Sequence, residues 1–157
     1  MLRADCGQNG NALLEWALDY LPDSIAHEWI GKLAFVCTAE SDGKRLTHSF
    51  REEREIIVLS ERIVPKKYDS ECDPEVRYFI FAVLHEIAHA VNDDRSPREL
   101  SSKENDAQEE RANCLALKWF NAYIHRKNIQ TLPPFTREEL ALAKERNRER
   151  MRAEVGR

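Results

Sequence analysis

The stretch VLHEIAHAV, residues 83–91, sets His85 and His89 four positions apart with Glu86 between them, inside an otherwise apolar run. At 3.6 residues per turn the two imidazoles lie about 40° apart on a helical cylinder, one above the other on a single face. Glu86 lies about 100° from His85 and about 60° from His89, beside that stripe. Apolar residues surround them almost all the way round: Val76, Phe79, Ile80, Phe81, Val83, Leu84, Ile87 and Val91. A helix of this kind is buried rather than laid on a surface. Two imidazoles and a carboxylate buried without partners would each carry a desolvation penalty of about a few kcal/mol. A metal ion shared by the imidazoles removes it, and leaves the carboxylate beside the ion, within reach of a water. In the pattern H-E-x-x-H the histidines bind zinc and the glutamate acts as a general base.

The helix has a clear start. Asp73 suits the N-cap, Pro74 the first helical position and Glu75 the positive end of the dipole. The predicted span is Pro74 to about Asn92. The polar stretch DDRSPRELSSKEND follows as a loop, and a second long helix is expected from about Asn105 to His125. TLPPF breaks it, and Thr136 with Glu139 reads as a capping box for a charged terminal helix within residues 135–157. Towards the N-terminus, NALLEWALDYL and SIAHEWI predict two short helices within residues 1–31, with Pro22 ending the first, Asp23 capping the second and Gly31 closing it. Over residues 32–64 the period changes. KLAFVCTAE and RLTHSF, with Asp42-Gly43 between them, predict a hairpin, and EIIVLSE a third strand. The expected fold is α+β: one domain over 1–157, with a small three-stranded antiparallel (mixed) sheet packed on a helical core, and residues 73–126 as the metal-binding helices.

A chain of 157 residues is one domain's worth and can bury a real core. A net charge of -4 gives no reason to expect nucleic acid as a direct partner. The basic residues after Lys144 are interspersed with acidic ones, the pattern of a solvated helix face. No apolar run approaches the ~20 residues of a membrane span, and no apolar leader segment stands at the N-terminus, so neither membrane nor export is expected. Cys6, Cys37, Cys72 and Cys114 form no C-x-x-C pair. They read as free thiols in a reducing cytoplasm.

A hydrolytic zinc site takes three protein ligands and leaves one position open. A third histidine six residues after His89 is ruled out, because that position is Arg95 and the turn glycine before it is Asn92. Asp93 on a continuing helix would sit a turn too far along the axis. The better candidate lies in DAQEERANCLALKWFNAY. With Glu109 at zero, Ala112, Ala116, Trp119, Phe120 and Tyr123 fall between about -80° and +20° on the wheel, so Glu109 belongs to the core-facing stripe. Glu110, about 100° away, does not. Asn113, one turn on, is placed to hydrogen-bond a ligand histidine. Tyr123 and His125 are candidates for stabilising a transition-state oxyanion, and Glu55–Ser60 is a candidate edge strand for holding an extended substrate.

H-E-x-x-H at 85–89 followed by E-x-x-A-N at 109–113 is the arrangement of the gluzincin peptidases. More narrowly, IIVLSERI (56–63), RYFIFAVLHEIAHAV (77–91) and EERANCLALKWF (109–120) resemble the ImmA/IrrE family of small intracellular metallopeptidases. The resemblance covers about residues 55–123. It implies a zincin-type helical core, with His85, His89 and Glu109 as ligands of Zn2+ and Glu86 as catalytic acid/base. It also implies a protein substrate: a helix-turn-helix transcriptional repressor of a phage, a mobile element or a stress response. The alternative on the same scaffold is a non-catalytic binding protein that sequesters such a partner without cutting it.

Overall fold

The structure is a computed structural model that describes residues 3–39, 44–49 and 54–155. In chain order these form β1 (Arg3–Asp5), α1 (Gly7–Leu18), α2 (Asp23–Trp29), β2 (Leu33–Thr38), β3 (Lys44–Ser49), β4 (Arg54–Ser60), α3 (Pro74–Val91), α4 (Ser102–Lys127) and α5 (Arg137–Val155). Helices and a small sheet in one α+β arrangement match the expectation. None of these helices is long and apolar enough to cross a membrane.

The sheet differs from its expected form. It has four strands in the order β1-β2-β4-β3. β1, β2 and β4 run parallel, and β3 alone is antiparallel, against β4. The expected hairpin therefore does not form: β4 stands between β2 and β3, and the Asp42-Gly43 turn lies outside the described residues. Hydrophobicity explains the order. Ile57, Val58, Leu59 and Ser60 are buried in succession, as in a strand covered on both faces, so EIIVLS takes a central place. KRLTHS, with its charges, goes to the edge, where unpaired backbone meets water. β1 is three residues long and has no periodicity from which to read it.

α3 is the hub. It packs against α1, α4, α5, β3 and β4. α1 offers it one face, with Gly10, Leu13, Leu14, Ala17 and Leu18 buried at helical spacing. Asp73 occupies the N-cap of α3 but does not cap it. Its carboxylate instead accepts the Asp69 N–H at 2.8 Å and braces the preceding loop. α4 begins earlier than expected because Ser101 and Glu104 form a capping box, with bonds of 3.3 and 2.9 Å. It ends at Asn128, whose φ of 50° stops the helix in the left-handed region.

The cap of α5 is half of the expected box. Thr136 Oγ1 accepts the Glu139 N–H at 3.1 Å, but the Glu139 carboxylate is drawn away by Arg77 on α3. Two bonds of 2.6 and 2.9 Å join them. The Arg77 side chain is 3% exposed, and its guanidinium carbon lies 5.3 Å from the ring centroids of both Phe120 and Phe135. Removing one partner strands the other charge among aromatic rings. Glu139→Ala is therefore expected to lower the unfolding free energy by about 3 kcal/mol. Glu145→Ala, which breaks the exposed pair with Arg148, should cost under about 1 kcal/mol. Urea denaturation of the two variants checks this, and equal small losses would contradict it.

Candidate metal centre

Within α3, His85 and His89 stack on one face as the spacing requires, and their Nε2 atoms stand 3.1 Å apart. The rings meet edge to face, at 87° with centroids 4.6 Å apart. α4 packs alongside and brings Glu109 to both: Oε2 lies 3.3 Å from His85 Nε2, and Oε1 lies 3.4 Å from His89 Nε2. Among the described residues, these three are the group whose ligand atoms all fall within 4.8 Å of one another. Tetrahedral zinc, with bonds of about 2.0–2.1 Å, sets its ligand atoms about 3.3–3.4 Å apart along each edge. The two Nε2 atoms, 3.1 Å apart, approach that edge length, and each faces a different oxygen of the Glu109 carboxylate, at 3.3 and 3.4 Å. The residues can hold a metal ion. Both imidazoles are 12% exposed and the Glu109 side chain is 42% exposed, so the cluster opens to solvent on the carboxylate side.

The electrostatics of the cluster follow from these contacts. Hydrogen bonds from His85 and His89 hold the Glu109 carboxyl well below the usual carboxylate range. Burial works against a charged His89, but the bonds to Glu109 and Asp94 outweigh it and raise its pKa. Burial pushes the Glu86 carboxyl up, partly offset by the two histidines. A carboxylate of raised basicity next to two imidazoles is suited to take and return a proton.

The carboxylate that orients a ligand is Asp94, which the sequence did not single out. His89 donates from Nδ1 to Asp94 Oδ2 at 2.8 Å. This holds the ring with Nε2 turned towards the cluster. Arg111 donates to the other oxygen at 3.0 Å. Asp94 gets there because α3 ends in a reversal: Asp93 adopts φ 52°, and the Asp94 N–H bonds back to the His89 carbonyl at 3.0 Å. Aspartate tolerates that left-handed region better than most side chains. Gln108 then clamps the next peptide, accepting from the Arg95 N–H and donating to the Arg95 carbonyl, each at 3.0 Å. An Asp-Asp pair just past a helix end was the available signal.

Other expectations need correction. Asn113 does not make the expected bond to a ligand histidine. Its Oδ1 and His85 Nδ1 are both buried without a hydrogen-bond partner among the described residues. Tyr123 and His125 are not brought to the cluster, because they stand fourteen and sixteen residues along α4 from Glu109, rises of about 21 and about 24 Å. Tyr123 instead stacks on Tyr20 with ring centroids 3.9 Å apart, and His125 is exposed. Glu55–Ser60 is not an edge strand, since it lies within β4, which is bonded on both sides. Glu110 points away, as its wheel position requires, and pairs with Arg137 at 2.6 Å. Compared with protein-family models, curated proteins and solved structures, the chain matches none.

Equilibrium dialysis against zinc tests the assignment. Glu109→Ala is expected to lose most bound zinc and Glu110→Ala to keep it, while Asp94→Ala weakens binding about 10- to 100-fold. The reverse ranking of the two glutamates would move the third ligand.

Proposed function

We propose that the chain is a zinc-dependent endopeptidase of the H-E-x-x-H…E type, resembling the ImmA/IrrE metallopeptidases. The observation that carries this reading is the cluster of His85, His89 and Glu109, whose ligand atoms lie within 4.8 Å of one another beside a part-exposed carboxylate. Zinc held there supplies a Lewis acid that polarises a scissile carbonyl and acidifies water to near neutral pH.

The protein's own residues supply the rest. Asp94 holds the His89 ring in place, and Glu109 offsets positive charge from the neighbouring helix. Glu86 takes the proton from the attacking water and delivers it to the leaving amine; its raised pKa suits both halves of that task. Extended substrate has a place to pair at β3, the edge strand nearest to α3. The substrate class is a protein, and the resemblance favours a helix-turn-helix repressor in the cytoplasm.

The displacement of Tyr123 and His125 from the cluster favours a second reading, a zincin-like protein that sequesters its partner without cutting. One experiment separates the two. The Glu86→Gln protein, used as bait in the native host, captures the partner, and wild-type protein is then incubated with it. Peptidase action predicts cleavage that a chelator abolishes, with Glu86→Gln keeping its zinc while kcat/KM falls at least about a hundredfold. Wild-type turnover by Glu86→Gln would sink the mechanism, and binding without any cleavage would favour sequestration.

A further inference from the structure

Two free cysteines stand near the C-terminal ends of β1 and β2. β1 and β2 run parallel with Asp5 opposite Val36, and the positions that follow in that register are Cys6 and Cys37. Neighbouring strands lie about 4.8 Å apart, with register partners on the same face. That spacing is inside the roughly 4.4–6.8 Å Cα range of a disulfide. Both are free thiols.

Cys6 is held firmly. It is the N-cap residue of α1, its N–H donates to Asn11 Oδ1 at 3.0 Å, and a Cβ added at Gly10 would stand 2.7 Å from its own Cβ. Only glycine lets the first turn of α1 approach so closely. A helix N-terminus favours a thiolate. The Cys37 side chain keeps the Cys6 thiol below its ordinary pKa, against burial and the charges of Asp5 and Glu61. The Cys6 side chain, with burial, pushes the Cys37 thiol up. Both cysteines line an open cleft of about 630 Å³, together with Asp5, Glu61, Val64 and Lys66. The cleft gives a small molecule a route to sulfur atoms that are otherwise largely covered.

We propose that Cys6 and Cys37 are a redox-active dithiol that a hydroperoxide entering this cleft converts to an intrachain disulfide. The Cys6 thiolate attacks the terminal peroxide oxygen, the O–O bond breaks, and the alcohol or water leaves as Cys6 becomes a sulfenic acid. The Cys37 sulfur then displaces hydroxide from the Cys6 sulfur. The S–S bond forms, and the Cys37 proton leaves with the hydroxide as water. Two thiols and one hydroperoxide give one disulfide, one alcohol and one water; sulfur is oxidised and the peroxide reduced.

The test treats the reduced full chain with equimolar hydrogen peroxide, blocks residual thiols and maps the peptides by mass spectrometry. The expected product has lost two hydrogen atoms, carries a Cys6–Cys37 cross-link and reverts with dithiothreitol. In Cys37→Ser, with no partner to resolve it, Cys6 should be captured as a sulfenic acid by a dimedone probe. That capture should run at least about tenfold faster than capture of Cys37 in Cys6→Ser. The exposed Cys72 and Cys114 serve as internal comparisons. If Cys6 stays reduced while they oxidise, or if the cross-link joins other cysteines, the proposal is overturned. The wild-type peptide map decides this whatever the stability of the variants.

Discussion

The helix Pro74–Val91 is packed against α1, α4, α5 and two strands, so the polar side chains it carries must be met by those neighbours rather than by water. Arg77 is met by Glu139 from α5. His85 and His89 are met by Glu109 from α4, and His89 again by Asp94 just past the end of its own helix. Each contact removes a desolvation cost that α3 would otherwise carry. Each also fixes where the contributing element lies. The positions of α4 and α5 are thus tied to the charges buried on α3 as well as to its apolar surface.

A cation bound as proposed would complete this arrangement in a way hydrogen bonds among the three side chains do not. With His89 Nδ1 engaged by Asp94, its Nε2 is turned to the His85 Nε2 at 3.1 Å and to a carboxylate held in its charged form. Protons can bridge such a cluster only in part. A divalent ion bound there would answer all three donors at once. Arg111 and Gln108 hold the Asp94 loop in place from α4, so both Glu109 and the support for His89 come from one helix.

Much of the centre was legible in the sequence because it rests on helical period. His85, Glu86 and His89 share a run whose burial is plain from its composition, and the wheel separates Glu109 from Glu110. Asp94 was hidden because its position depends on one left-handed residue, Asp93, which the 3.6-residue period does not foresee. Tyr123 and His125 show the opposite fault: both lie on the right helix, but period alone ignores rise, and 1.5 Å per residue carries them out of reach. The sheet was harder to read. Asp42-Gly43 is a local signal for a hairpin, whereas strand order is decided by which strand most needs covering on both faces, and EIIVLS outcompetes its neighbours for that place. Strand β1 has no pattern of its own and is defined by its pairing with β2.

Zinc K-edge X-ray absorption on protein loaded with zinc and then desalted measures the central claim most directly. The account predicts one retained ion per chain, with only nitrogen and oxygen ligands at about 2.0–2.1 Å and the multiple-scattering signature of two imidazoles. Failure to retain zinc, or sulfur scatterers at about 2.3 Å in place of imidazole, would contradict it.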